Sequence, residues 1–424
     1  MPRTISVAAT QMNAGPAPTS VRLARAEELV EEAQQAGAQI VVLPELFNSG
    51  YSYDDALYDR VETMDGPTVT WMKNTAKRFR VHLAGTLLLL DEEEIYNTLL
   101  LVAPDGELWR YDKVYPWFFE RAFFHPGERI TIADTVYGRI GLLICWDVGH
   151  PSLWARYAGK VDMMIVCASS PRMHDATILM PDGMRVRLAE GGPQFAMINR
   201  GADEIFGEDL RAQSAYLQVP VVLSNATGTF DSRVPLPTFS MTAFTALRPE
   251  LWRYIRSADE ARIRSGYFNE SYIADAQGKV LGRVDPGAEG VVLSDITLPD
   301  SLPQPEGRQP GNHLPPFTPW LDNLFNSAMT GLYRRSVRAL YGPQMAPVSP
   351  MARRFLAIAL LVAAAAFWFG RITKRRQVKV IEKKVPVPVT RTPQERRQER
   401  ATQLATSIAA LRTLERLIDG EREK

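Results

Sequence analysis

The sequence is poor in cysteine and histidine and has almost no excess of charge of either sign. Two cysteines among 424 residues cannot form a disulfide framework, and two alone rarely complete a structural zinc site. The five histidines show no metal-ligand spacing. The 49 basic residues balance the 48 acidic ones, which gives no electrostatic sign of a nucleic-acid-binding surface. We therefore expect no metal, no cofactor and no nucleic acid, and the cysteine usage fits a reducing compartment.

Three further features are missing from the sequence. It contains no Gly-rich phosphate loop and no internal repeat, so it gives no support for a nucleotide-binding or repeat protein. The N-terminus has no long apolar stretch with a cleavage site, and Ile5–Gln11 resembles an ordinary first strand more than a signal peptide.

Up to about residue 300, short apolar runs alternate with amphipathic stretches. The stretch Ser20–Gly37 places apolar residues on one helical face and ends in glycine. Strands are predicted at Ile5–Gln11, Ile40–Pro44, Val81–Leu90, Thr98–Ala103, Gly141–Ile144, Met163–Ala168, Ala196–Asn199, Val219–Ser224, Ser271–Ala274 and Val291–Ile296. Strands separated by helical patterns predict a layered α/β fold, which we assign to residues 1–298.

The C-terminal part of the chain has a different composition. Residues 299–353 combine a proline-rich linker or wrapping arm with a predicted amphipathic helix, Trp320–Tyr341. Residues 354–370 contain the wholly apolar run Phe355–Phe369, which as a helix would extend about 22 Å, against a hydrocarbon core of about 30 Å. Basic residues flank it on both sides, as suits lipid phosphates. We predict a short transmembrane helix or one lying in the membrane interface; a buried core helix is the alternative.

The basic clusters are nearly symmetric and do not set an orientation. Residues 371–424 follow as a basic linker and a charged helix, Thr392–Glu423, that is either a brief coiled-coil seam or a solvated helix. We predict a membrane-associated protein whose catalytic domain is cytoplasmic and that contacts lipid.

Three reactive side chains follow apolar strands in the first half of the chain. Glu45 ends Val41-Val-Leu-Pro-Glu, Lys113 lies in Tyr111-Asp-Lys-Val-Tyr, and Cys145 ends Gly141-Leu-Leu-Ile-Cys. Open α/β sheets bind ligands at the carboxyl edge of their strands, where such residues meet. Cys167 lies inside an apolar run and is interpreted as an inert core residue. Cys145, which ends its strand, is the candidate nucleophile.

The ordered set Leu-Pro-Glu45, Asp-Lys113 and Ile-Cys145-Trp-Asp resembles the nitrilase, or carbon–nitrogen hydrolase, superfamily. The resemblance extends from Ile5 to about Leu298, with support from Phe124-His-Pro-Gly and Pro220-Val-Val-Leu-Ser-Asn. It implies a four-layer α-β-β-α sandwich, a homodimer or higher homo-oligomer, and a Glu–Lys–Cys triad. Glu120 matches a second glutamate that members of this family commonly use.

The resemblance also implies roles for these residues. Glu45 would be the general base, Lys113 and the Trp146 backbone N–H would stabilise the anionic intermediate, and Glu120 would help to activate water. The candidate substrate-binding residues are Trp146, Arg172 and Tyr51. The sequence departs from relatives after the cysteine, where Gly149-His-Pro-Ser stands in place of Pro-Glu. It also departs between Asn225 and Ser271, where a longer segment, including Leu247–Ile263, is expected to cover the pocket.

Three functions remain open at this point. The leading one is hydrolysis of an amide, N-carbamoyl compound or nitrile through a cysteine thioester. The second is acyl transfer, in which an amine replaces water, as in a branch of the superfamily whose membrane helices precede the catalytic domain. The third is a catalytically silent membrane scaffold, which the presence of all three triad residues disfavours.

Overall fold

A computed structural model of the chain describes residues 3–53, 55–191, 204–246, 248–314, 329–331 and 333. The predicted strand Ala196–Asn199, most of the predicted helix Trp320–Tyr341 and the whole of residues 354–424 lie outside these described residues. The α-helices are α1 Thr19–Gln35, α2 Pro67–Phe79, α3 Pro151–Tyr157, α4 Leu210–Leu217 and α5 Pro237–Thr245. The 3₁₀ helices include Asp55–Arg60, Phe118–Ala122, Cys145–Gly149 and Pro249–Glu260, the last with a kink at Ser257.

Sixteen strands are present in the described residues. They are β1 Arg3–Asn13, β2 Ile40–Val42, β3 His82–Asp91, β4 Glu94–Val102, β5 Leu108–Asp112, β6 Ile132–Thr135, β7 Gly138–Ile144, β8 Met163–Ala168, β9 Thr177–Leu179, β10 Arg185–Arg187, β11 Val221–Thr227, β12 Thr229–Arg233, β13 Arg262–Gly266, β14 Tyr272–Ala274, β15 Val280–Arg283 and β16 Gly290–Leu298. The remaining predicted strands and helix α1 are each present within a few residues of their predicted bounds.

The main sheet has twelve strands, with the central path β5-β4-β3-β2-β1-β11-β8-β7-β6. Strands β3, β2, β1, β11, β8 and β7 run parallel to one another on this path, so their carboxyl ends lie at the same edge, whereas β6 pairs antiparallel with β7. Strand β16 pairs antiparallel with β1, and β14 pairs antiparallel with β11. Because Glu45, Cys145 and Ser169 directly follow β2, β7 and β8, this topology delivers all three to one edge of the sheet.

Side chains on opposite faces of the same strands enter different cores, as period-2 alternation requires. On β1, Ala8 packs with residues of α1 and α2, including Leu29 and Met72. Its neighbour Val7 packs instead with residues of β7, β8 and β11 and with α3 and α4. Helices therefore cover one face of the β1–β4 half, and the other half of the sheet covers its second face. The predicted layered α/β fold is confirmed.

A second, four-stranded sheet, in the order β10-β9-β13-β12, was not predicted. Strands β12 and β13 come from the long segment between Asn225 and Ser271 that distinguishes this sequence from compact relatives. The ring of Phe230 on β12 packs against the ring of Tyr51, with a distance of 5.9 Å between the ring centroids. The additional segment thus builds a wall beside the edge where the predicted catalytic residues lie.

After β16 ends at Leu298, the described chain continues as an irregular arm to Leu314. The Asn312 side chain donates a hydrogen bond to the Gly149 carbonyl, and Gln309 donates to the Pro151 carbonyl. The described part of the arm therefore lies against the chain that follows Cys145. Within the described ranges, no helix is long and apolar enough to cross a lipid bilayer.

Candidate active site

The structure brings Glu45, Lys113 and Glu120 into one buried hydrogen-bonded cluster. Lys113 Nζ donates to Glu45 Oε1 at 2.8 Å and to Glu120 Oε2 at 2.8 Å. Lys113 is 0% exposed, and each glutamate is 1% exposed. Buried charges are stable in a protein only when they are paired and hydrogen-bonded, and one ammonium between two carboxylates satisfies that condition.

Glu45 is held by donors from three separate elements. Besides Lys113, Asn97 Nδ2 of β4 donates to Glu45 Oε1 at 2.7 Å, and the Ser169 N–H that follows β8 donates to Glu45 Oε2 at 2.9 Å. The Ser169 hydroxyl in turn donates to the Glu45 carbonyl at 2.7 Å. These bonds fix the orientation of the carboxylate, which a general base requires.

Glu120 lies on the 3₁₀ helix that follows the Lys113 segment. Its Oε2 also accepts the Trp117 N–H at 2.6 Å, and its Oε1 accepts the Tyr51 hydroxyl at 2.5 Å. Burial raises the pKa of Glu120, the charge of Lys113 opposes that effect, and the nearby Glu45 raises it further. The net direction is upward, while the hydrogen bonds that Glu120 accepts from Lys113 and Tyr51 stabilise its ionised form.

Burial alone would lower the pKa of Lys113, but the negative charges of Glu120 and Glu45 outweigh it and raise the pKa above its ordinary value. Lys113 is therefore a permanent cation at neutral pH. Such a fixed charge is suited to stabilising an anion that forms beside it and not to transferring protons.

Cys145 occupies a backbone conformation that residues other than glycine rarely adopt. Its φ is +46°, and it begins the 3₁₀ helix Cys145–Gly149 directly after β7. Leu46 and Phe118, neighbours of Glu45 and Glu120 in the chain, also have positive φ values of 50° and 35°. Each such residue costs about 1–3 kcal/mol, and residues of this kind cluster at functional sites. Strained residues therefore occur in the turns that carry Glu45, Glu120 and Cys145.

The two cysteines differ as the sequence analysis predicted. Cys145 retains 7% exposure at the end of its strand, whereas Cys167 is 0% exposed inside β8. Burial raises the pKa of the Cys145 thiol, Glu45 raises it further, and Lys113 partly opposes them. Because the thiolate is the nucleophilic form, this neutral thiol needs a base at the moment of attack. The Glu45 carboxylate is the charged group with the largest effect on that pKa.

The three predicted substrate-binding residues differ in how the structure places them. Tyr51 contacts Glu120, as described above. Trp146 follows Cys145 and is 7% exposed, and its indole N–H is buried with no hydrogen-bond acceptor in the structure. Arg172 is half-buried three residues beyond Ser169, and its backbone N–H donates to the carbonyl of Gly266 at 2.8 Å. That bond joins the carboxyl edge of the main sheet to the second sheet.

Sequence reasoning missed two participants in the site. Asn97 is a polar residue at the start of the apolar run of β4. Its role depends on strand pairing, which places it beside Lys113: the Lys113 backbone N–H donates to the Asn97 carbonyl. Asp147 was noticed only as part of the cysteine motif, yet it is fully buried and binds three donors. Within the described ranges, no group of His, Cys, Asp and Glu is arranged to hold a metal ion.

Comparison with known proteins agrees with this geometry. Residues 6–201 match the carbon–nitrogen hydrolase family. The chain is 29% identical over 181 residues to a nitrilase of Pyrococcus abyssi, covering 42% of this chain and 66% of that protein. It is 35% identical over 167 residues to the omega-amidase NIT3 of Saccharomyces cerevisiae, covering 35% of this chain and 57% of that protein. The chain thus spans less than two thirds of the length of either relative.

The fold is similar to the crystal structure of Saccharomyces cerevisiae Nit3, a member of branch 10 of the nitrilase superfamily. The TM-score is 0.50 at 24% identity, over 71% of this chain and 92% of that one. Residues 6–201, a little under half of the chain, are therefore similar to the nitrilase, or carbon–nitrogen hydrolase, family, and the similar proteins include a nitrilase and an omega-amidase. Cys145 lies within the residues that match this family.

Proposed function

We propose that the protein hydrolyses a non-peptide C–N bond of an amide-type substrate, with Cys145 as nucleophile and a thioester intermediate. The observation that carries the proposal is the buried cluster of Glu45, Lys113 and Glu120, whose charges act on the thiol of Cys145 at a strained turn. Similarity to an omega-amidase supports an amide over a nitrile.

The chemistry follows from the charges. As the sulfur of Cys145 attacks the carbonyl carbon, its proton passes to Glu45, and the carbonyl oxygen becomes an anion that Lys113 and the Trp146 backbone N–H stabilise. The C–N bond then breaks, and the amine leaves with the proton from Glu45. Water, deprotonated by Glu45, attacks the resulting thioester and releases the acid and the free thiol. Glu120 maintains the position and charge of Lys113 throughout.

Several aromatic side chains limit what the substrate can be. Tyr53 packs against the rings of Tyr51, Trp117, Phe119, Phe123 and Phe230 at centroid distances of 5.4–6.4 Å. An aromatic wall next to Glu120 favours a substrate with an apolar or extended part, held while its amide group reaches Cys145. The Trp146 ring lies 6.1 Å from that of Trp117, and its buried indole N–H has no acceptor among the described residues. We assign Trp146, Arg172 and Tyr51 to substrate binding.

A substrate panel tests the proposed activity. The full chain is incubated with primary amides of increasing chain length, N-carbamoyl compounds and nitriles, and the release of ammonia and acid is measured. We expect turnover of primary amides. Adding a primary amine as acceptor separates hydrolysis from transfer, because an acyltransferase would give the N-acyl product in place of the acid. Absence of both products across the panel would favour the silent scaffold.

Membrane attachment is a separate proposal, which rests on the apolar and basic sequence of residues 354–370. We expect the full chain to sediment with membranes and a chain ending at Pro350 to stay in the supernatant after lysis without detergent. Immunoblotting of both fractions measures this. If the shortened chain still sediments, another surface is responsible for attachment.

We also expect a homodimer or a higher homo-oligomer, as the resemblance implies for helices that follow the nucleophile, here α3 and α4. Light scattering coupled to gel filtration of the chain ending at Pro350 measures the mass directly. A mass equal to one chain at micromolar concentration would contradict this expectation.

A further inference from the structure

Three hydrogen bonds converge on Asp147, which is 0% exposed. Its Oδ1 accepts the Tyr115 N–H at 2.8 Å. Its Oδ2 accepts the Tyr111 hydroxyl at 2.7 Å and the Ile144 N–H at 3.1 Å. Two of these donors lie two residues before and two residues after Lys113, and the third directly precedes Cys145. Asp147 therefore binds the lysine segment and the cysteine turn at the same time.

No strand pairing in the described sheet makes this connection. Strand β5, which leads to Lys113, pairs with β4 at one end of the central path. Strand β7, which leads to Cys145, pairs with β6 and β8 near the other end. Because the ladder hydrogen bonds do not fix one segment relative to the other, their relative position depends on side chains. Asp147 accepts two hydrogen bonds that join them, from Tyr111 and Tyr115.

Asp147 also acts on the strained turn itself. Cys145 at φ +46° follows Ile144, whose N–H is bound by the Asp147 carboxylate across the turn. Such a conformation persists only where surrounding bonds determine it. The Asp147 carboxylate accepts three hydrogen bonds and can stabilise this conformation, since hydrogen bonds to a charged acceptor are roughly twice as strong as neutral ones.

We propose that ionised Asp147 is a positioning residue that holds the Cys145 turn and the Lys113 segment in the relative position that attack on the substrate requires. The inference rests on the proposed function, in which sulfur and ammonium act on the same carbonyl group. Asp147 touches no reacting atom. Its effect passes through the backbone of Ile144 on one side and through Tyr111 and Tyr115 on the other.

The proposal implies a pH dependence with a definite sign. The titratable groups that face Asp147 are Lys113, Tyr111 and Tyr157. Burial raises the pKa of Asp147 to about 6, while Lys113 and the hydrogen bond from Tyr111 act in the opposite direction. Below that pH the carboxyl group carries a proton and cannot accept all three bonds. Activity should therefore fall as the pH drops below the pKa of Asp147, because the two segments lose their relative position.

Tyr111→Phe tests this directly, because it removes one donor to Asp147 and little volume. We expect kcat to fall about tenfold, with a small change in KM, since a hydrogen bond to a charged group contributes about that factor. We also expect the acid limb of kcat/KM to move up by about one pH unit, because the pKa of Asp147 rises without the bond. The matched control is Tyr272→Phe, which removes a buried hydroxyl that donates to the Phe206 carbonyl at 2.7 Å. It should lower the Tm similarly without shifting the acid limb.

If Tyr111→Phe keeps the wild-type kcat, or loses activity with an unmoved acid limb, the proposal is wrong. A second readout needs no substrate: the rate at which iodoacetamide alkylates Cys145, followed by peptide mass spectrometry. We expect that rate to change in Tyr111→Phe and in Asp147→Asn but not in Tyr272→Phe. Equal rates in all variants overturn the positioning role even if no amide is ever turned over. Lack of turnover by the wild type, with altered alkylation in the two variants, contradicts only the proposed function.

Discussion

Cys145→Ala is expected to lower turnover of any amide substrate by about four orders of magnitude or more, because removal of a nucleophile leaves only the binding and electrostatic contributions. The fold should survive, since alanine fits the space of cysteine and the thiol makes few packing contacts that alanine lacks. Initial rates of acid release, together with the Tm and the far-UV circular dichroism spectrum, measure both effects.

The chain provides a matched control in Cys167→Ala. Cys167 is also buried and also follows apolar strand residues, but it is fully enclosed within β8. Its substitution should lower stability slightly through a small cavity and leave kcat unchanged. Retained activity in Cys145→Ala, or loss of activity confined to Cys167→Ala, would contradict the assignment of the nucleophile.

Lys113→Met should both abolish activity and destabilise the fold. It leaves Glu45 and Glu120 buried without a cation, and breaking a buried pair in this way costs about 3–5 kcal/mol. Without the opposing charge of Lys113 the pKa of Glu120, already raised by burial, rises further. The folded variant then binds protons more tightly than the unfolded chain, so its stability falls as pH increases through that raised pKa.

Urea unfolding of the wild type and the variant at pH 5 and pH 8 measures this effect. We expect the larger loss of unfolding free energy at pH 8. Arg78→Met is the comparison, since it removes the cation of an exposed pair with Glu27, and such pairs contribute about 1 kcal/mol or less. A loss for Lys113→Met that is as small as that for Arg78→Met, or larger at pH 5, would contradict the account of the buried cluster.

The sequence was sufficient to predict the layered fold because strands and helices leave local patterns, whereas the choice of candidate catalytic residues also used the resemblance to a known family. Apolar runs of strand length mark the strands, and a reactive residue directly after such a run lies at the sheet edge, as Glu45 and Cys145 do. Cys167 was distinguished from Cys145 by the same rule, since its run continues past it. The structure also places Glu120 beside Lys113, as the spacing of relatives implied.

Other features could not be predicted because they arise from contacts between distant segments. The bond from Asn97 to Glu45 joins residues 52 positions apart, and neither residue carries a local sign of it. Asp147 binds Tyr111 and Tyr115 only because the Lys113 segment passes beside the cysteine turn. The second sheet pairs β9 with β13, about 85 positions later, through short strands of mixed polarity that alternate too little to be recognised.

The central claim is that Glu45, Lys113 and Cys145 act together on one electrophilic carbon. The most direct measurement is peptide mass spectrometry of the full chain, quenched with acid during turnover of a slowly hydrolysed amide. We predict an acyl adduct on the peptide that contains Cys145 and none on the peptide that contains Cys167, with the adduct absent in Lys113→Met. Steady turnover without any adduct on Cys145, or with an adduct that Lys113→Met forms equally fast, would contradict the account.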